Sequence, residues 1–487
     1  NSGGTTFHDR VPAATDDIFF DQNSFGPDAA TLDIDVIHAE CHNMDWTGVT
    51  SPITVVGEPD KAFHITGSFR LAPSITWAAS TKLIFEGNDN HVIHSRGVSL
   101  AAGEIHLNNP EGHWVLGHAF VANNGYFYMD SGSFDTAGKD IHVRRFYATG
   151  SQERSIHLKD SNVTIIQFWF MENTTNLTFD AGTSTIHWNA NNTYSFAAND
   201  VAFHNLDMSV NSGVATIKGN FSFHRIEKGG EGTLEIQNSL VIDDSLKVLD
   251  GQVIFSSDNT IEGLSISPGV VLRLGSGATQ TIGTITGTGT CTENIYLIAT
   301  QSGSPAFLSQ NTGQVSLDFA HIKDVHATGG ASFAAANSFD DGGNTGWQIQ
   351  EKDPQAYYWI GGSGNWSDSQ HWSNNSGGAP ADCVRGSSDD VIFDENSFTE
   401  EGKTITLDVP LASCKSMTWQ NTIAGASVSG GVENTLSIHG SLTLAEEMSW
   451  NSNGDLNFFG PGAKTLDLKS VSLSPYNIYL DDNDAVW

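Results

Sequence analysis

Residues 232 to 283 read GTLEIQNSLVIDDSLKVLDGQVIFSSDNTIEGLSISPGVVLRLGSGATQTIG. Short apolar-polar alternations are interrupted by Gly, Asn, Asp and Ser roughly every 8 to 14 residues, which is the punctuation of strands and turns. Each strand offers two or three inward side chains: Leu234 and Ile236, Leu240 and Ile242, Leu246 and Val248, Val253 and Phe255. A strand this short cannot bury a face alone. Coils of about 20 to 25 residues, wound into a right-handed parallel β-helix, bury it continuously by stacking. A string of antiparallel β-sandwiches is the alternative, since short strands with regular turns suit it too. The scarcity of hairpin dipeptides such as Asn124-Gly125 favours the solenoid.

The same texture fills the whole chain of 487 residues, so the fold class is all-β. Its 50 glycines fit a chain that turns often, and 38% hydrophobic residues are enough to build a core. The 56 acidic against 22 basic residues give a net charge of −34, which argues against a nucleic-acid partner and against docking on anionic lipid. The charge suits a long sheet-rich molecule that must avoid self-association. No run of 18 apolar residues is present, so no membrane span is expected. The opening NSGGTTFHDR has neither Met nor an apolar signal core and suggests a processed chain or a fragment. Cys383 and Cys414 are close enough in sequence to pair in an oxidising compartment, whereas Cys41 and Cys291 have no evident local partner.

Residues 16 to 25, DDIFFDQNSF, return at 389 to 398 as DDVIFDENSF. The shift of 373 residues then holds without a gap: Cys41 falls on Cys414, Met44 on Met417, Trp46 on Trp419, Ile65 on Ile438, Trp77 on Trp450 and Trp114 on Trp487. The stretch 1–114 therefore recurs at 374–487. The expected organisation is a first repeat unit at 1–350 lacking its head, a linker at 351–356, and the start of a second unit at 357–487. The second copy is preceded by YYWIGGSGNWSDSQHWSNN at 357 to 375, a Gly- and Trp-rich entry that the first copy lacks. With about 14 to 17 rungs spaced by ~4.8 Å, one period would make a rod of roughly 70 to 80 Å.

The head YYWIGGSGNWSDSQHWS with the PADCVRGSSDDVIFDENSF that follows it, and the tail FAAANSFDDGGNTGW at 333 to 347, resemble the tandem units of very large Bacteroidota cell-surface proteins, those associated with gliding motility and exported by type IX secretion. The resemblance is carried by the head and tail; the coils between them share only general character. It implies an extracellular, cell-surface adhesin or filament of repeated β-rich units. The partners it implies are other copies or units of the same protein and cell-surface glycans or a prey or host surface, and it carries over no catalytic residues.

The residues that could carry chemistry are few. DDxxFDxNSF places Asp16, Asp17, Asp21 and Asn23 together in one copy, and Asp389, Asp390, Asp394 and Asn396 in the other. Oxygen ligands at that spacing suit Ca²⁺. The same residues also build Asx-turns by bonding their own backbone. His38 and His42 give way to Leu411 and Lys415, and His91 and His94 to Lys464 and Asp467, so a zinc site shared by both copies is excluded. The pectinase pattern known on β-helices is matched only by scattered fragments, Asp243-Asp244, Gly117-His118-Ala119 and Arg225-Ile226-Glu227, so no enzyme is expected. Trp359, Trp366 and Trp372 could stack on sugar rings or cap the end of a core. A carbohydrate-active enzyme or carbohydrate-binding module on the same scaffold is the alternative to the adhesive filament.

Overall fold

The computed structural model describes residues 10–26, 28–381, 383, 386–422, 425–480 and 485–486. Trp487, the counterpart of Trp114, lies outside them, as do Asp382, Val384 and Arg385 of the head region. The described chain is all-β apart from a single 3-10 turn at Ser369–His371. Its strands pair in parallel and stack as a β-solenoid of about 21 turns. The antiparallel sandwiches are thereby excluded; an antiparallel pair does join Ala356–Trp359 to Trp372–Ser373.

Contacts divide the chain into two compact units, 1–247 with 259–261, and 248–258 with 262–487. In the first unit a strand meets its counterpart one coil later. His38–Cys41 pairs with Ala62–Ile65, and that strand with Lys82–Phe85, so residues 38, 62 and 82 stand in line. Alternation then does the sorting, because successive side chains point to opposite faces of a strand. Cys41, Ile65, Phe85, Leu107 and Met129 fall on one inward column and are fully buried. A second inward column is aromatic: Phe127, Phe146, Trp169 and Phe196 stack with ring centroids 5.4, 4.2 and 5.4 Å apart. These spacings follow the rise between neighbouring strands, so identical side-chain types in line make dry contacts at every coil.

Turns between strands leave carbonyls that no ladder satisfies. Arg154, fully buried, donates to the carbonyls of Ala148, Gln152, Asn173 and Thr175. Burial lowers the guanidinium pKa, and the four carbonyls take the place of its lost water. Where coils approach most closely only glycine fits. Gly219 has φ of 99°, and a Cβ there would overlap the Ala198 carbonyl.

In the second unit the coils of the first repeat continue through Val271–Leu274, Ile295–Ala299 and Ala320–Lys323 to Phe339–Asp340. The second repeat then builds three larger sheets of its own, parallel apart from Trp372–Ser373 at the edge of the first. One holds Ala356–Trp359, Asp390–Phe393, Met417–Trp419 and Leu442–Thr443; another Gly364–Asn365, Thr404–Leu407, Ser427–Gly430 and Ser449–Ser452; the third Leu411–Cys414, Thr435–Ile438, Leu456–Phe458 and Ile478–Leu480. The 373-residue shift survives down to single pairs. Ile18 faces Met44 as Val391 faces Met417, and His38 faces Ala62 as Leu411 faces Thr435. Leu411 also packs sideways on Tyr296 and Ile298 of the first repeat.

Candidate functional site

The carboxylates of DDxxFDxNSF are engaged by the backbone in both copies. Asp16 Oδ2 accepts from Ala13 N at 2.8 Å, and Asp389 Oδ2 from Gly386 N at 3.0 Å. Asp17 Oδ1 accepts from Asn43 N at 3.2 Å, and Asp390 Oδ1 from Ser416 N at 3.1 Å. Asn23 N and Asn396 N each donate to the Asp two residues before, at 2.9 Å, while Ser24 Oγ and Ser397 Oγ close the same turn. This is the Asx-turn geometry, repeated donor for donor. Asn396 adds a bond from Nδ2 to Ser376 Oγ at 2.8 Å. Burial raises the Asp389 pKa against the pull of Lys352, whose Nζ lies 3.5 Å away.

Above that turn sits an aromatic plug. Phe20 stacks on Trp46 at 3.8 Å with Phe25 beside it at 5.9 Å, and Phe393 stacks on Trp419 at 4.1 Å with Phe398 at 5.9 Å. Over the second plug, Trp359, Trp366 and Trp372 are buried. Trp359 Nε1 donates to Gly362 O at 2.7 Å and Trp372 Nε1 to Trp366 O at 3.1 Å. Of the two roles open to them in the sequence, they take that of a cap, and none presents a flat face to a sugar.

The outer face of the first unit carries an aromatic ladder that the sequence reading missed. Tyr128 stacks on His106 at 4.4 Å and on Tyr147 at 4.8 Å, and Tyr147 on Phe170 at 5.6 Å. In the adjacent column the Arg145 guanidinium lies over Tyr126 at 4.3 Å and over Phe168 at 4.9 Å, and its Nε donates to Gln167 Oε1 at 2.6 Å. Burial, aided by Glu104 and the neighbouring tyrosines, pushes the Tyr128 hydroxyl up to about 12. Because the rings lie face to face along the stack, their flat surfaces are already covered and only edges meet solvent. Such a ladder staples coils; a sugar platform needs open faces. The signal was present as Tyr126, Tyr128, Tyr147, Phe168 and Phe170 at alternate positions of successive strands. Histidines add further staples between coils: Nδ1 of His106, His187 and His224 meets Asp130, Asp207 and Asp243 at 2.7, 2.8 and 2.6 Å.

The disulfide expectation needs correction. Cys383 bridges to Cys291, with Cα atoms 4.9 Å apart, and not to Cys414. Cys414 sits inward on Leu411–Cys414 opposite Ile438, a core position like that of Cys41. Burial pushes the Cys41 thiol up to about 12, so this inward position is chemically quiet.

The second unit also holds a buried polar cluster where the two repeats meet. His321 Nδ1 contacts Asp341 Oδ2 at 2.7 Å, and both residues are buried. His439 Nε2 lies 4.0 Å from the other Asp341 oxygen, and Lys323 Nζ sits 3.1 Å from Asp324 Oδ2 and over the Phe459 ring at 4.1 Å. Burial brings His439 down to about 4 and raises Glu351. The residues at 351–356 are held here: Ser387 Oγ donates to Glu351 and Gln355 N to Asp389 Oδ1. Gly386 lies so close to the Phe339 ring that a Cβ would overlap it, and the first copy has Ala13 at this place. Departures between the copies, Thr66 to His439, Glu86 to Phe459 and Ala13 to Gly386, are the sequence signal for this junction.

No group of three or more His, Cys, Asp or Glu arranged to hold a metal ion occurs among the described residues. No known protein family, curated protein or solved structure matches the chain.

Proposed function

We propose that the chain is a non-enzymatic structural and adhesive segment of a large extracellular surface filament. Its tandem β-solenoid units would meet cells, polysaccharide or solid surfaces, and other copies of the same protein. The observation that carries this reading is what recurs at the 373-residue shift. Core columns, turn cradles and the Phe–Phe–Trp plug return in register, whereas outward groups do not: His64 becomes Ser437, Lys82 becomes Asp455 and Glu86 becomes Phe459. A spacer must keep its core and turns; a catalytic or lectin face repeated along an array would have to keep its outward groups. The bridge between Cys291 and Cys383 supports an oxidising compartment outside the cell. The resemblance to gliding-associated type IX substrates points the same way.

Calcium enters this proposal as an optional addition, since the oxygens of Asp16, Asp17, Asp389 and Asp390 already serve backbone amides. The reading is tested by imaging the intact secreted protein together with a glycan array and a reducing-sugar assay on polysaccharides. Periodic filaments without sugar release are the expected outcome. Robust turnover of a polysaccharide would replace the filament role with an enzyme.

A further inference from the structure

Where the second repeat packs sideways on the first, the contact leaves a space. Leu411 meets Tyr296 and Ile298, and beside them a cavity of about 230 Å³ opens between residues 292–296 and 408–413. Alternation along Leu411–Cys414 decides what faces it: Ala412 and Cys414 turn into the core of the second repeat, so Leu411 and Ser413 turn toward the first. Two polar atoms in the lining are orphaned. Asn294 Oδ1 and Ser413 Oγ, on residues 3% and 1% exposed, have no hydrogen-bond partner among the described residues. Buried polar groups are nearly always paired, so two such atoms in one cavity call for a ligand that pairs them.

Both walls are held before any ligand arrives. In the turn that leads to Asn294, Thr290 N donates to Glu293 O at 2.9 Å and Glu293 N to Thr290 Oγ1 at 3.0 Å, while Cys291 is bridged to Cys383. On the other side Asp408 accepts from Ser367, at Oδ1 from the backbone N at 2.9 Å and at Oδ2 from the hydroxyl. A preformed cavity spends little of its binding energy on ordering itself.

The lining also describes its occupant. The volume lies below the roughly 300 to 1,000 Å³ of drug-sized sites, so the occupant is small. The orphaned atoms are neutral, an amide oxygen that accepts and a hydroxyl that does both. The acids of the lining, Glu293 and Asp408, are exposed, so a cation taken inside would lack a buried counter-charge. Val271, Val409 and Leu411 ask for carbon surface. A small neutral group that carries several hydroxyls on a compact carbon frame is a sugar ring.

We propose that this cavity receives a single neutral pyranose residue, the end of a glycan chain. Its hydroxyls bond Asn294 Oδ1, Ser413 Oγ and the carboxylates of Glu293 and Asp408, and its C–H face lies against Leu411. The site rests on the attachment to polysaccharide proposed above and supplies a contact for it. Ser413 stands where the first copy has Glu40, so the cavity belongs to this junction and requires no outward face common to both copies.

The test titrates the full chain with glucose, galactose, mannose and N-acetylglucosamine, and with butylammonium as the cationic control. At least one sugar should bind and shift the ring protons of Tyr296 and His321, which line the cavity, and butylammonium should not. Asn294→Leu and Ser413→Ala each remove an atom that bonds nothing in the chain, so each should leave the melting temperature in place and weaken sugar binding at least about tenfold. If one variant fails to fold, the other and the ring shifts of the unaltered chain decide. The proposal is overturned if no sugar binds, if both variants bind as the parent does, or if butylammonium is taken in place of sugar. Filaments that hold polysaccharide while the cavity stays indifferent to sugar would keep the adhesive role without this site. Sugar in the cavity of a chain that forms no filaments would keep the site without that role.

Discussion

The opening coil occurs twice with the same turn chemistry, the same Phe–Phe–Trp plug and the same strand register, yet Leu32 is half-buried where Ile405 is fully buried. Nothing in the coil itself accounts for that difference. Gly364–Asn365 pairs with the strand of Ile405, and Ile405 shares one buried core with Trp359, Trp366 and Trp372. In a solenoid each coil contributes half of two interfaces, so its stability is set by its neighbours as much as by its own residues.

If neighbours decide, the contrast between copies can be altered from outside the coil. Reducing the Cys291–Cys383 bridge, which spans 92 residues, should have the largest effect, removing about 5 kcal/mol from the second unit on a chain-entropy basis. Urea unfolding followed by amide exchange should show the first unit unchanged. Trp372→Ala comes next. It should cost about 4 kcal/mol and bring exchange in Asp390–Phe393 up to the rates of Ile18–Asp21, making the second opening coil behave like the first.

Acid should separate the copies in a different way. His439 is buried and neutral, with its pKa brought down from 6.5 to about 4. Between those values the unfolded chain takes a proton that the folded chain refuses. The stability is therefore present in full above pH 6.5 and is lost as the pH falls toward 4, by about 3 kcal/mol. His439→Thr, which installs the residue found at Thr66, should flatten the acid dependence of the second unit's melting. If the slope survives the substitution, another group is responsible.

A smaller effect belongs to the turn. Asp394→Ala should cost about 2 kcal/mol and Asp21→Ala about 1, because the same hydrogen bonds are more deeply buried in the second copy. Equal costs would mean that burial is irrelevant to this cradle. Smallest of all, a chelator should leave the melting of both units unchanged; a clear drop would restore calcium as a ligand of Asp16, Asp17, Asp21 and Asn23 and of their counterparts.

The solenoid was legible because it is periodic. Leu234, Ile236, Leu240 and Ile242 are all inward and buried, as their alternation requires, and the 373-residue shift placed Ile65 and Ile438 at equivalent core positions. What escaped was everything set by coil-to-coil adjacency at non-repeating places. Cys291 meets Cys383 through the stacking of distant coils, and no local spacing announces it. The shift did carry a warning, since Cys383 falls on Arg10 while Cys414 falls on Cys41, so a bridge between Cys383 and Cys414 could not be common to both copies. The cluster of His321, Asp341, Lys323 and His439 is assembled by lateral packing of one repeat on the next, which alternation within a strand cannot report. The DDxxFDxNSF residues form the same turn in both copies, and their hydrogen-bond partners, such as Asn43 and Ser416, became visible only once the coils were stacked.

The most direct measurement is residue-resolved amide exchange on the intact chain, comparing Ile18–Asp21 and Ala30–Ile34 with Asp390–Phe393 and Thr404–Leu407 under the same conditions. If neighbours set the stability of a coil, the second pair exchanges far more slowly than the first despite their matching sequences. Equal rates in the two copies would contradict that claim and return the stability to the coil's own residues.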